Sequence, residues 1–174
     1  MTSTPTAFTH DLATVAGMLR LLGRVTVAPP GPGQLAPDPS AISQRMAQAL
    51  AFERECADNA RHLRNLSTDS AADPPLAVAY AAAAVRAATI TRHLGVAFDL
   101  SVKCALTVRG APRSAAESLH QRRRKAAGEA LTAAEKEADR GHQEVLGFAA
   151  RIASDAAGPP AAQPLAEPAT RGRR

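Results

Sequence analysis

The sequence has very few aromatic side chains: it contains no tryptophan, one tyrosine and four phenylalanines among 174 residues. Leucine, isoleucine, valine and phenylalanine together supply only 32 residues, which is under a fifth of the chain. Such a low content combined with a high net charge is typical of disordered chains. Here the net charge is only +5, and the apolar residues recur periodically. We therefore predict a thin core made of closely packed helices rich in alanine, of which the chain has 41.

The chain also has little that would place it outside the cytoplasm. It has two cysteines, Cys56 and Cys104, which lack metal-ligand spacing and are interpreted as small buried side chains. The longest charge-free apolar stretch, residues 74–85, is shorter than the ~20 residues that cross a bilayer. The first residues lack the basic and apolar regions of a signal peptide. These absences predict a cytoplasmic protein with no membrane contact, and the many GC-rich codons implied by Ala, Arg, Gly and Pro indicate a bacterial source.

Apolar residues recur at alternating steps of three and four, which predicts amphipathic helices that pack as a bundle or coiled coil. An N-terminal helix is predicted within residues 1–27, with Thr9 as its N-cap. Residues 28–40 hold five prolines and two glycines, so we predict a linker without regular structure. The helical bundle is predicted over residues 41–156, and a disordered Pro/Ala-rich tail over residues 157–174.

The predicted fold class is all-α: an antiparallel bundle of about four helices with a long third and a long fourth helix. Short connections make helices two, three and four antiparallel neighbours. An α+β alternative stays open, because apolar and polar residues alternate from Val96 to Arg109 as in a strand at 96–109. Helix is favoured there, since only residues 25–27 could offer a partner strand. The residues assigned to the core or interface stripe are Ile42, Met46, Leu63, Leu76, Tyr80, Ile90, Leu94, Val145, Phe148 and Ile152.

Positive charge is concentrated in residues 109–125, which hold six basic residues and one acidic residue. We call Arg122–Lys125, four consecutive basic residues within this segment, the basic tetrad. Successive helical residues point about 100° apart, so the tetrad should surround its helix, and no aromatic residues interleave to stack on bases. The segment could contact phosphates or protein carboxylates. The residues assigned to such contacts are Arg109, Arg113, Arg122, Arg123, Arg124 and Lys125.

Two further patterns lie on the fourth predicted helix. The basic start of this helix could face the acidic stretch of a second copy in an antiparallel dimer, an isologous arrangement that is common among oligomers. That acidic stretch comprises Glu129, Glu135, Glu137 and Asp139. Glu117 and His120 match the Glu-x-x-His element of di-iron bundles, which needs a second such element at the same level. The nearest candidate lies on the same helix, so we predict no metal site.

Motifs of catalysis are missing: there is no G-x-S-x-G, no phosphate-binding glycine loop and no paired-carboxylate motif. We accordingly predict no catalytic residue and no cofactor. The sequence favours a non-enzymatic helical interaction module, because a thin core gains from added contact area. Such a module would form a homo-oligomer or act as an adaptor for a helical protein partner. The alternatives are a nucleic-acid-associated accessory protein that uses residues 109–125 and, more remotely, a helical-bundle metal enzyme.

Overall fold

The computed structural model describes residues 5–24, 37–67, 74–107 and 113–157. These residues confirm the predicted all-α bundle, since they form four packed helices and contain no strand. The α+β alternative is wrong for residues 96–107, which complete the third helix; residues 108 and 109 lie outside the described ranges. The helices are α1 (Pro5–Gly23), α2 (Pro39–Leu66), α3 (Pro75–Thr107) and α4 (Arg113–Ala157).

Helical periodicity explains why the alternating stretch after residue 96 is not a strand. Ala97, Ser101 and Cys104 are fully buried, whereas Val96 and Leu106 are 49% and 70% exposed. Steps of four and three residues place the buried side chains on one face of a helix. A strand would instead have placed Val96 and Leu106 on the same face as Cys104, and it would have needed a partner strand.

The observed helix ends follow local capping chemistry. Asp38 Oδ1 accepts a 2.9 Å hydrogen bond from the backbone N–H of Ser40, which satisfies a donor in the first turn of α2. This hydrogen bond lowers the pKa of the Asp38 carboxyl. Pro39 suits the first turn because its missing N–H is not needed there. The prediction of Thr9 as an N-cap is wrong, because α1 already begins at Pro5, another proline in a first turn.

The predicted linker and tail are only partly described. α2 begins at Pro39, inside the predicted linker, and α4 continues through Ala157, one residue into the predicted tail. Residues 25–36 and 158–174, which make up most of both segments, lie outside the described ranges. Among the helices described, none combines the length and the hydrophobicity that crossing a bilayer would need.

Successive helices run antiparallel, and α1 also runs antiparallel to α4. In every pair the residue number rises along one helix as it falls along the other. α1 and α3 contact each other across the bundle, whereas α2 and α4 make no contact through their described residues. For α2 and α3 the direction follows from Met46 beside Gly95 and Cys56 beside Tyr80. For α3 and α4 it follows from Arg86 with Glu144 and Cys104 with His120. For α1 and α4 it follows from Ala16 with His142 and Arg20 with Asp139.

The core is thin, as predicted: 14 of the 24 buried hydrophobic residues described are alanines. Alanine brings little hydrophobic free energy on burial, at ~0.8 kcal/mol for each buried methylene-sized group. It does allow helix backbones to approach closely, and α1 meets α4 in this way. A Cβ on Gly23 would lie 2.3 Å from the Cβ of Ala138, so only glycine fits there. The largest apolar side chains that are fully buried are Leu12, Leu19, Ile42, Ile90, Leu94 and Val145.

Candidate functional site

The basic tetrad surrounds α4 and does not line one face of it. Arg122 and Arg124 project into solvent, and Arg122 Nε donates a 3.3 Å hydrogen bond to Ser118 O one turn back. Arg123 turns towards α3 and its Nη1 donates to Lys103 O at 3.2 Å. Lys125 Nζ lies 3.9 Å from a carboxylate oxygen of Glu129 on its own helix. The four side chains therefore present no single phosphate-facing row.

The other two residues assigned to the basic segment are not brought into this arrangement. Arg109 lies outside the described residues. Arg113 is the first residue of α4, and the position of its side chain is not described.

The acidic half of α4 is largely occupied by partners within the same chain. Glu137, whose side chain is 10% exposed, binds Arg86 of α3 and lies 3.5 Å from Arg140. Arg86 Nε also donates a 2.7 Å hydrogen bond to Glu144. These two carboxylates raise the pKa of the Arg86 guanidinium. Asp139 also pairs with Arg20, at 3.5 Å. Most carboxylates of the acidic stretch therefore already have a basic partner within the same chain and are not available to a second copy.

The outer face of α3, which points away from the other helices, carries a row of exposed apolar side chains. Val78 and Val85 are 36% and 64% exposed, and Val96 and Leu106 continue the row. Steps of 7, 11 and 10 residues keep these side chains within about 80° of one another around a helix that turns 100° per residue. The charged residues on the same face are Arg92, Asp99 and Lys103, of which the last two form a 2.6 Å ion pair.

The residues assigned to the core or interface stripe are all buried or half-buried, and all but Leu63 belong to the core or pack against it. Ile42, Ile90, Leu94 and Val145 are buried in the core. The other six are half-buried at its edges: Met46, Leu63, Leu76, Tyr80, Phe148 and Ile152. Phe148 also lies under the guanidinium of Arg151, at 4.5 Å from the ring centre.

A cleft of about 170 Å³ opens between α1 and α2, and Tyr80 of α3 lies at its inner end. We call it the Tyr80 cleft. Asp11, Thr14 and Val15 line it from α1. The residues that line it from α2 are Phe52, Glu55, Cys56 and Asn59.

His142 and Cys104 form contacts between helices in the part of the chain that is described. His142 Nδ1 lies 3.0 Å from Ala16 O and thereby joins α4 to α1. The thiol of Cys104 lies 3.9 Å from His120 O. Burial raises the pKa of Cys56 to about 12 and also raises that of Cys104, so both thiols stay protonated at neutral pH. No group of three or more His, Cys, Asp and Glu side chains that could hold a metal ion occurs among the described residues.

Sequence reasoning missed the ionic cluster at Arg86 and the Tyr80 cleft. A signal for the first existed: Arg86 is the only charged residue between positions 74 and 91, within a stretch of alanines. A lone charge on an apolar helix indicates a partner on a neighbouring helix. The cleft left no such signal, since its lining is drawn from three helices. No family model, no curated protein and no solved structure matches this chain.

Proposed function

We propose that this chain is a non-enzymatic helical interaction module that binds an amphipathic, carboxylate-bearing helix of a protein partner. The observation that carries this proposal is the outer face of α3, where exposed valines lie beside exposed arginines. Apolar contact would supply attraction there, and the arginines would select a partner of negative charge.

The exposed apolar side chains of this face lie along one side of α3, with Arg92 and the Asp99–Lys103 ion pair between them. Single exposed apolar residues are ordinary on a protein surface. Here Val78, Val85, Val96 and Leu106 follow one side of one helix, over 28 residues or about 42 Å at 1.5 Å per residue. Another helix lying along this side can place apolar anchors on these residues at intervals of two to three turns, and charged groups at the positions between them.

The charges beside the row favour carboxylates. Arg92 lies between Val85 and Val96, is exposed, and forms no ion pair with a described residue. The hydrogen bond from Arg123 to Lys103 O places the basic tetrad beside the C-terminal end of the row. Charged groups around an apolar contact mainly set which partner is accepted and how fast it arrives.

The size of the face and the charge of the chain favour a separate partner over a second copy. A face about 42 Å long and about 10 Å wide, the width of one helix, offers about 420 Å². A stable interface needs roughly 800 Å² from each partner. The face therefore suits one helix in a transient complex. Two copies would also bring together two surfaces that carry the same excess of positive charge.

The test uses synthetic helical peptides and fluorescence anisotropy. One labelled peptide carries leucines on one side and glutamates on the other, and the control peptide replaces every glutamate by lysine. We expect saturable binding of the glutamate peptide and at least tenfold weaker binding of the lysine peptide. The double variant Val85→Glu with Val96→Glu should bind the glutamate peptide at least tenfold more weakly than the unmodified chain does. The matched control is Leu21→Glu, an exposed leucine on α1, 55% exposed, which should leave binding unchanged.

Three outcomes would overturn this proposal. Equal losses in Leu21→Glu and in the valine variant would show that the peptide does not use the outer face of α3. Dimers in light scattering at micromolar concentration that the valine variant dissociates would make a second copy the occupant. Salt-sensitive binding of duplex DNA that depends on Arg122–Lys125 but not on the valines would instead support a nucleic-acid accessory protein.

A further inference from the structure

The Tyr80 cleft combines negative charge with apolar walls and lies apart from the outer face of α3. It exists because α1 contacts α2 only slightly, so the two helices leave about 170 Å³ open between them. Asp11 contributes a carboxylate from α1 and Glu55 contributes one from α2. Both are exposed, and neither forms an ion pair with a described residue. Among the described residues that line the cleft there is no Lys, Arg or His.

The uncharged lining supplies two further kinds of contact. The amide of Asn59 adds a hydrogen-bond acceptor beside the two carboxylates. Val15 and Phe52 supply apolar walls. The phenol of Tyr80 closes the inner end, and its pKa is raised by burial first and by the charge of Asp11 second. The cleft therefore has a wall for methylene groups and a negatively charged rim that can accept several N–H donors.

We propose that the Tyr80 cleft binds a small organic cation: an alkylammonium or guanidinium group carried on a short methylene chain. The volume is about that of five or six water molecules, at roughly 30 Å³ each. It accommodates such a group but not a nucleotide or a folded segment. The N–H donors bind Asp11, Glu55 and Asn59, and the methylenes contact Phe52. The cation comes from a free amine or from a Lys or Arg side chain of a peptide, which present the same chemistry.

One property of the sequence makes the binding directly measurable. Tyr80 is the only tyrosine and the chain has no tryptophan, so all ultraviolet emission from tyrosine reports on this cleft. Agmatine, which joins a guanidinium and an ammonium group through four methylenes, is the free-amine probe. A blocked tripeptide with a central arginine is the peptide probe. We expect a saturable change in emission for at least one probe, beyond that caused by sodium chloride at equal ionic strength.

Neutralising variants identify the cleft as the site. Asp11→Asn and Glu55→Gln should each weaken agmatine binding at least fivefold. Glu53→Gln, on the same helix but outside the cleft, should bind as the unmodified chain does. Circular dichroism of each variant shows that the helices are retained, so a lost signal reflects the charge and not unfolding.

A second readout uses the ionisation of Tyr80, followed by absorbance at 295 nm. The guanidinium of agmatine stays charged at high pH, so bound agmatine should lower the pKa of Tyr80. An effect of agmatine at least tenfold stronger than that of the tripeptide identifies a free amine as the source, and the reverse identifies a peptide side chain. The proposal would be overturned by the absence of any saturable change with either probe up to 10 mM, or by agmatine affinities in Asp11→Asn and Glu55→Gln that equal the affinity of the unmodified chain. This test is independent of peptide binding at the outer face of α3.

Discussion

Replacing Gly23 by alanine should separate α1 from α4. The added Cβ would lie 2.3 Å from the Cβ of Ala138 and 3.0 Å from the backbone oxygen of Ala134. Carbon atoms in contact prefer about 3.5–4.0 Å, and both obstacles are fixed to the backbone of α4. No rotamer change can relieve the overlap, so the C-terminal end of α1, of which Gly23 is the last residue, must move away from α4. Overpacking of this kind costs about 1–3 kcal/mol.

The opposing term is the helix propensity, because alanine is favoured over glycine by up to about 1 kcal/mol inside a helix. We expect a net loss of about 1–2 kcal/mol in the free energy of unfolding for Gly23→Ala. The matched control is Gly17→Ala on the same helix, where an added Cβ meets nothing within 4 Å. That variant should gain about 0.5–1 kcal/mol, so the two substitutions should differ in sign.

Urea unfolding followed by circular dichroism at 222 nm measures both changes. In thermal unfolding, Gly23→Ala should lower Tm by about 2–8 °C, at about 2–4 °C for each kcal/mol in a chain of this size. Adding Ala138→Gly to Gly23→Ala should recover part of the loss, because it removes the nearest obstacle. The reasoning fails if Gly23→Ala is as stabilising as Gly17→Ala, since that would mean that the two backbones do not approach closely.

Three further substitutions test the energetics of the interior. Burial raises the pKa of the Cys56 thiol from 9.0 to about 12, so this thiol ionises at a lower pH in the unfolded chain than in the folded chain. The free energy of unfolding should therefore fall by about 1.4 kcal/mol per pH unit above pH 9, and urea titrations of Cys56→Ala should show a shallower fall. Arg86→Met leaves the buried carboxylate of Glu137 with only the exposed Arg140 beside it, at 3.5 Å, and should cost about 2–4 kcal/mol in the free energy of unfolding measured with urea. If adding Glu137→Gln restores none of this loss, the Arg86–Glu137 pair does not contribute to stability. Ser101→Ala removes a buried hydroxyl that has no hydrogen-bond partner in the described part of the chain, so chemical unfolding should show a gain of about 1 kcal/mol, and a loss would contradict this.

The helices were predictable because each of them carries its own periodic signal. The stretch after residue 96 also alternates like a strand, but the steps of the helical stripe continue through it at Ala97, Ser101 and Cys104. The burial of these three residues on one helix face shows that the stretch is a helix and not a strand. Helix ends were less predictable, because a proline such as Pro5 allows a helix to begin before its apolar pattern does. Local sequence determines such features, and so they can be inferred without knowledge of the neighbouring helices.

The candidate sites depend on how one helix lies against another, which the sequence pattern does not specify. Arg86 is visible as a lone charge, but its partners Glu137 and Glu144 are 51 and 58 residues away. Which carboxylates it meets depends on the register of α4 along α3. The Tyr80 cleft depends likewise on how far α1 stands from α2. The exposed valines of α3 resemble core residues in the sequence, and only the placement of the other helices shows that they remain uncovered.

The antiparallel pairing of α1 with α4 has a consequence for how the chain is made. Asp139 follows its partner Arg20 by 119 residues, and ribosomes add about 5–20 residues each second. During the roughly 6–24 s between the two, the first helix has been synthesised but the part of α4 that contacts it has not. The pairing of α1 with α4 therefore forms only after the last helix has been made, and until then Leu19, which lies beside Gly141 in the folded chain, is not covered by α4.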